Sequence, residues 1–236
     1  MINKSDYICR DNFKGVLKRN LWKKCTEILC LGLLRVYFFP KFESYIHSDK
    51  PDLIDKKRRE GIEVCEAIKE KDAQAIGEYS RLINGDENHF NKSVQIIKEN
   101  GFDYSCGVLS WGVREDKDFL QDFSIVISKK LKLIDGYLTN GIEKLGLVVY
   151  CEKSIIYDYS KEIVDVYNEL VVGKRGFDFI YFVFCYGIYY YDVSKKELSI
   201  TEIKKDEYDY IYLLARAVAE EKIKFSDAEW INLVIN

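Results

Sequence analysis

The chain has 236 residues, a hydrophobic content of 47% and a formal net charge of −3. Its apolar content, which includes 18 tyrosines and 13 phenylalanines, is sufficient for a large core and excludes a chain that is disordered throughout. The nearly balanced charge excludes a uniformly basic nucleic-acid-coating protein but leaves a local basic surface open.

The cysteines show no metal-binding pattern. There are seven of them, no two with C-x-x-C spacing, and only two histidines accompany them. A structural zinc site needs clustered Cys and His ligands, so we expect free thiols packed as small hydrophobic residues in a reducing compartment.

The sequence carries no signal for secretion or membrane insertion. The N-terminal stretch is polar and charged, and the longest apolar runs are shorter than the about 20 residues that span a bilayer. We therefore expect a cytoplasmic protein with no membrane partner.

The first half of the chain mixes helical and strand-like patterns. Helices are predicted over residues 13–35, 71–83 and 90–99, and strands over residues 51–54, 61–67 and 106–111. The first two strands are joined by the charged hairpin connection Asp55–Glu60, and the second and third helices each end at an Asn-Gly pair.

The second half alternates strands and helices. Helices are predicted over residues 116–138, 160–171, 207–222 and 227–233, and strands over residues 145–150, 179–185, 189–191 and 198–203. This order predicts an α/β fold of the mixed α+β kind, with a central mixed sheet flanked by helices. We expect a single domain over residues 1–236, with residues 68–104 as a candidate helical insertion.

Two acidic residues lie in the first predicted strand pair. Asp52 opens one strand, and Glu63 lies in the middle of the next, where an unpaired carboxylate would be costly. If the strands pair, both carboxylates can lie at one position of the sheet and bind a hard cation such as Mg²⁺. Such a cation would lower the pKa of a bound water and stabilise charge on a phosphoryl oxygen. The alternative for Asp52 is a turn residue that follows a proline.

The same stretch resembles the motif of the PD-(D/E)xK nuclease superfamily, which has the restriction-endonuclease-like fold. Pro51-Asp52 matches the first half of the motif, and Glu63-Val64-Cys65 matches the second half, with Cys65 in place of the motif lysine. A small residue in that position is similar to a known variation in the superfamily.

The resemblance continues towards the C-terminus. The predicted helix that carries Lys129, Lys132 and Tyr137, with the strand after it, is similar to the helix and strand that complete the family's core. Phe177–Tyr181 is similar to its last core strand. The resemblance covers about residues 20–204 and implies a restriction-endonuclease-like core, with extra helices at the N-terminus, at the C-terminus and in the insertion.

The resemblance implies a metal-dependent nuclease that hydrolyses DNA phosphodiester bonds. Asp52 and Glu63 would bind Mg²⁺ or Mn²⁺. The first core helix of the family often supplies another acidic ligand, and Glu27 is the candidate for that ligand here.

The position of the lysine is left open by the motif. Cys65 faces the same way as Glu63 along a strand but cannot supply a positive charge. Lys69 is the candidate if the strand continues to it, and Lys129 or Lys132 is the candidate if the lysine comes from the helix.

A basic run supplies candidate contacts to nucleic acid. Lys56, Lys57, Arg58 and Arg59 lie together in the predicted hairpin connection, where they could meet backbone phosphates. Lys129 and Lys132 are further candidates for this role. The alternative for all of them is solvation at the surface.

A second function class is consistent with the same residues. The chain could be a catalytically inactive restriction-like domain that binds nucleic acid or a protein, for example as an immunity or antitoxin partner. The sequence also allows a homodimer. A lysine beside the two carboxylates in space favours the enzyme, and its absence favours the binding module.

Overall fold

A computed structural model describes residues 16–85, 89–105, 108–111, 116–151 and 159–224. These residues divide into two compact units. The described residues within Met1–Lys24 and Ile68–Glu115 form the first unit, and those within Cys25–Ala67 and Asp116–Asn236 form the second unit.

The helices of the described residues are numbered in chain order. They are α1 (Arg19–Tyr37), α2 (Glu70–Ile83), α3 (Phe90–Glu99), α4 (Asp116–Leu131), α5 (Ile134–Thr139), α6 (Ser160–Leu170) and α7 (Lys205–Ala219).

The strands are numbered in the same way. They are β1 (Ile46–His47), β2 (Leu53–Asp55), β3 (Glu60–Glu66), β4 (Phe102–Ser105), β5 (Val108–Trp111), β6 (Lys144–Cys151), β7 (Phe179–Phe184), β8 (Gly187–Asp192) and β9 (Glu197–Glu202).

The first unit contains α2, α3 and the hairpin β4–β5. Both helices end at the predicted Asn-Gly pairs, and the glycines Gly85 and Gly101 take the positive φ angles of 89° and 84° that favour glycine. Its small core joins Ala75, Ile97 and Phe102. The expected insertion, residues 68–104, falls within this unit.

The second unit is built on a seven-stranded sheet with the order β1-β2-β3-β6-β7-β8-β9. The three central strands β3, β6 and β7 run parallel, and the other neighbouring pairs are antiparallel. All six residues of β7 and all but the first residue of β6 are buried. Such continuous apolar runs are typical of central strands that are covered on both faces.

Helices and aromatic residues cover the two faces of this sheet. On one face α4 and α6 pack against the strands through Phe123, Ile127 and Tyr167, which share a core cluster with residues of β6 and β7. On the other face the rings of Phe38 and Tyr181 are 5.1 Å apart. The described residues thus have the mixed α/β class that the sequence predicts, with a central mixed sheet flanked by helices.

The helix predicted over residues 116–138 is wrong as a single element. Helix α4 ends at Leu131, and α5 begins at Ile134 after a turn in which the amide of Leu133 donates to the carbonyl of Lys130 at 3.0 Å. The apolar spacing gives no sign of this break, because one tight turn leaves the periodic positions on the same side. The break matters for the site, which receives residues from both helices.

Smaller differences occur elsewhere. The first helix begins at Arg19, although the pattern predicts a start at residue 13, and β5 pairs with β4, a strand that the pattern does not predict. Residues 13–15, Cys106 and the short helix predicted over residues 227–233 lie outside the described residues.

Candidate functional site

Asp52 and Glu63 meet at the β2–β3 pair. These strands are antiparallel, with Leu53 opposite Ile62, so the residues just outside this pair, Asp52 and Glu63, also lie beside each other. Each is only 2% exposed. Asp52 Oδ2 accepts a hydrogen bond of 2.8 Å from the amide of Val64, which fixes its carboxylate against β3.

A lysine lies against both carboxylates. The Nζ atom of Lys130, from the last turn of α4, donates a hydrogen bond to Glu63 Oε2 and lies 3.5 Å from Asp52 Oδ2. Burial alone would lower the pKa of Lys130, but the hydrogen bond and charge of Glu63, with the charge of Asp52, outweigh burial and raise this pKa. The amine is therefore charged at neutral pH.

Lys130 is not among the predicted site residues, although the sequence contains a signal for it. An apolar helical stripe runs through Phe123, Ile127 and Ile134. Lys130 lies within this stripe, three residues after Ile127 and four residues before Ile134. A lysine in such a stripe needs a partner for its charge. The candidates Lys129 and Lys132 are instead exposed.

Tyr137 of α5 lies against the same carboxylate. Burial, followed by the hydrogen bonding and charge of Glu63, raises the pKa of Tyr137, so its hydroxyl stays protonated as a donor. The other carboxylate oxygen, Glu63 Oε1, is buried and accepts no hydrogen bond from the described residues. This oxygen therefore has unused capacity to accept a hydrogen bond or to bind a cation.

Cys65, in the motif position of the lysine, is an inert neighbour of the cluster. Burial raises the pKa of the Cys65 thiol to about 12, although the charge of Lys130 acts in the opposite direction. Its Sγ lies 3.6 Å from the carbonyl oxygen of Val148 on β6. The thiol is therefore neutral and cannot replace the missing lysine charge.

Lys69 is not on the strand that carries Glu63. Strand β3 ends at Glu66, whereas Lys69 is the N-cap residue of α2 in the first unit. The condition that the strand continues to Lys69 is therefore not met.

Glu27 is paired with a histidine. It is buried on α1, and its Oε2 lies 2.6 Å from Nε2 of His47 on β1. Across the described ranges, no group of three or more His, Cys, Asp and Glu side chains is arranged to hold a metal ion. Asp52 and Glu63 form a two-carboxylate arrangement, which suits Mg²⁺ because this ion keeps several waters and needs one or two carboxylates.

The basic run forms the exposed turn between β2 and β3. Arg58 Nη1 donates to the carbonyl of Lys41 at 2.8 Å, and Arg59 binds the carbonyl of Gly141 at 3.0 Å and the carboxylate of Glu143. Both arginines thus hold the turn against other loops of the second unit. Their predicted role in nucleic-acid binding stays a prediction.

Asp55 fixes the start of this turn from inside. It is buried, and its Oδ1 accepts hydrogen bonds from the amides of Lys57 at 2.9 Å and Arg58 at 3.1 Å. Burial opposes its ionisation, but the hydrogen bonds from Ser44, Arg58 and Lys57 hold the pKa of Asp55 below its ordinary value.

Comparisons with protein-family models, curated proteins and solved structures gave no significant match. Among the described residues, no helix combines the length and the apolar character needed to cross a membrane.

Proposed function

We propose that the chain is a metal-dependent nuclease of the restriction-endonuclease-like type that hydrolyses DNA phosphodiester bonds. The observation that carries this proposal is the contact of the Lys130 ammonium with the carboxylates of Asp52 and Glu63. Two carboxylates and a lysine are the groups that the family motif supplies. Here the lysine comes from α4, while the motif position holds Cys65.

The order of elements supports the same proposal. Helix α1 is followed by the antiparallel pair β2–β3, which carries both carboxylates, and later by α4, β6 and β7. This is the sequence of helix, strand pair, helix and strands that the resemblance implies for the core.

Each residue of the cluster has a chemical role in this proposal. Asp52 and Glu63 would hold Mg²⁺ or Mn²⁺, which when bound lowers the pKa of a water and stabilises negative charge on a phosphoryl oxygen. Lys130 would donate to the phosphate or to the attacking water, since its ammonium is charged and its side chain is only 19% exposed. Tyr137 would hold the Glu63 carboxylate in its orientation.

The decisive experiment replaces the carboxylates by neutral side chains of the same size. Glu63→Gln and Asp52→Asn should each abolish cleavage of a DNA duplex in Mg²⁺ or Mn²⁺ while urea unfolding shows a folded protein. Glu202→Gln is the matched control, because Glu202 is an exposed acid on β9 of the same sheet, and it should cleave as the wild type does. Cleavage at the wild-type rate by both site variants would contradict the proposal.

The binding module is the second candidate, and one observation favours it. Lys56 and Lys57 are exposed in the turn between β2 and β3, where they can contact backbone phosphates. Under this candidate the wild type would bind DNA but cleave neither DNA nor RNA with either metal. Lys56→Gln and Lys57→Gln should then weaken binding and reduce its salt dependence, because each lysine would neutralise a phosphate.

A further inference from the structure

A groove with no assigned role lies in the first unit. It has a volume of about 540 Å³ and runs between the start of α1 and one face of α2, which is within the roughly 300–1,000 Å³ of small-molecule sites. Its lining includes Lys18, Arg19 and Arg81, and none of the lining residues that the structure describes is acidic.

The wall formed by α2 is fixed by hydrogen bonds to the segment before α1. The hydroxyl of Ser80 donates to the carbonyl of Leu17 at 2.8 Å, and the amide of Asn84 donates to the carbonyl of Val16 at 3.1 Å. These bonds hold the backbone that leads directly into Lys18, so the groove is a built feature of this unit.

A glycine allows the close approach of the arginine. Gly77 lies in the middle of α2, and a Cβ at this position would come within 3.0 Å of Cδ and Nε of Arg19. The same face of the helix carries Ser80, Arg81 and Asn84, because they follow Gly77 by three, four and seven residues. The guanidinium of Arg19 thus lies across this face.

The positive charge of the groove is not balanced by the described residues. Arg81 is paired with the buried Glu78 through contacts of 2.7 and 2.9 Å. Lys18 and Arg19, by contrast, make no ion pair or side-chain hydrogen bond to the part of the chain that the structure describes. The first turn of α1 contains no acidic residue, so two cations lie at the positive end of the helix dipole, which is an unfavourable place for them.

The side chains of Lys18 and Arg19 are both exposed, and an anion in the groove would interact favourably with them. We infer that the groove binds phosphate groups, held by Lys18 and Arg19 at the N-terminal end of α1. Arginine suits this role because its guanidinium presents several donors to phosphate oxygens. The phosphate can belong to a small phosphorylated molecule or to a nucleic-acid backbone, and binding needs neither Asp52 nor Glu63.

The test is calorimetric titration of the full chain, without divalent cations, with inorganic phosphate, with ADP and with a short DNA duplex. Arg19→Gln should weaken binding about tenfold, since it removes a charge-assisted contact, and Lys18→Gln should do the same. Lys98→Gln is the control, because it removes an exposed lysine of the same unit that does not line the groove. Circular dichroism should show all three variants folded.

The three ligands distinguish the sources of the phosphate. Groove-dependent binding of phosphate and ADP identifies a small ligand, and groove-dependent binding of the duplex alone identifies a nucleic-acid backbone. The inference fails if none of the three shows saturable binding, or if Arg19→Gln and Lys98→Gln weaken binding equally. The titrations contain no divalent cation, so their result is independent of any metal-dependent nuclease activity.

Discussion

Replacing Lys130 with methionine should destabilise the second unit by several kcal/mol. The ammonium lies 3.5 Å from Asp52 Oδ2 and donates to Glu63, and both carboxylates are 2% exposed. At an effective dielectric constant of about 20, two unit charges at this distance attract each other by about 5 kcal/mol. Removing one partner of a buried pair typically costs about 3–5 kcal/mol. We therefore expect Lys130→Met to lower the free energy of unfolding by about 3–5 kcal/mol.

The assay is urea unfolding at neutral pH, followed by circular dichroism. Lys129→Met is the control, because Lys129 is the preceding residue of α4 and is exposed, and it should change the stability by less than about 0.5 kcal/mol. If the two variants lose the same stability, the lysine does not neutralise the buried carboxylates and the reasoning is wrong.

The same variant also tests the metal proposal. Without the ammonium, Asp52 and Glu63 repel each other, and a divalent cation from solution can compensate their charge. Mg²⁺ should therefore raise the melting temperature of Lys130→Met more than that of the wild type, because binding to the folded state stabilises it. Equal shifts would place any metal elsewhere.

Three further predictions follow from packing and charge. Cys65→Lys should give no gain in cleavage, because Lys130 already supplies the charge, and should cost about 1–3 kcal/mol in urea unfolding through overpacking. Asp55→Asn should cost about 1–3 kcal/mol at neutral pH through its lost hydrogen bonds. The pKa of Asp55 is lower in the folded state than its ordinary value. The ionised side chain therefore stabilises the fold above its unfolded pKa of about 3.9, and this stabilisation is lost as the pH falls below that value. The difference in free energy of unfolding between Asp55→Asn and the wild type should shrink over the same pH range. Gly146→Ala should lower the melting temperature, since its Cβ would lie 2.1 Å from the ring of Phe179.

Strands β6 and β7 of the second unit could be predicted, because their burial gives each of them a recognisable apolar run in the sequence. The apolar runs of β6 and β7 are continuous because both faces of these strands are covered. The pairing that joins Asp52 and Glu63 could also be predicted, since a charged turn of four residues between two short strands favours a hairpin.

Other features depend on contacts that no local pattern records. Strand β1 has two residues, too few for any periodicity, so the pairing of His47 with Glu27 could not be found. Strand β4 has only Phe102 buried among its four residues, a single anchor that propensity does not distinguish from a loop. In the stripe of α4, Lys130 has the spacing of a core residue but the chemistry of a surface residue, so these two signals favour opposite locations for it.

The position of Lys130 connects stability with chemistry at the candidate site. Asp52 and Glu63 are buried beside each other, and two buried carboxylates are costly without a positive charge nearby. Lys130 provides that charge within the chain. A loss of cleavage in Lys130→Met would therefore report on catalysis and on folding at once. Glu63→Gln avoids this ambiguity, because it removes a negative charge and leaves the ammonium paired with Asp52. Cleavage that is lost in Glu63→Gln at unchanged stability can be assigned to the chemistry of the carboxylate.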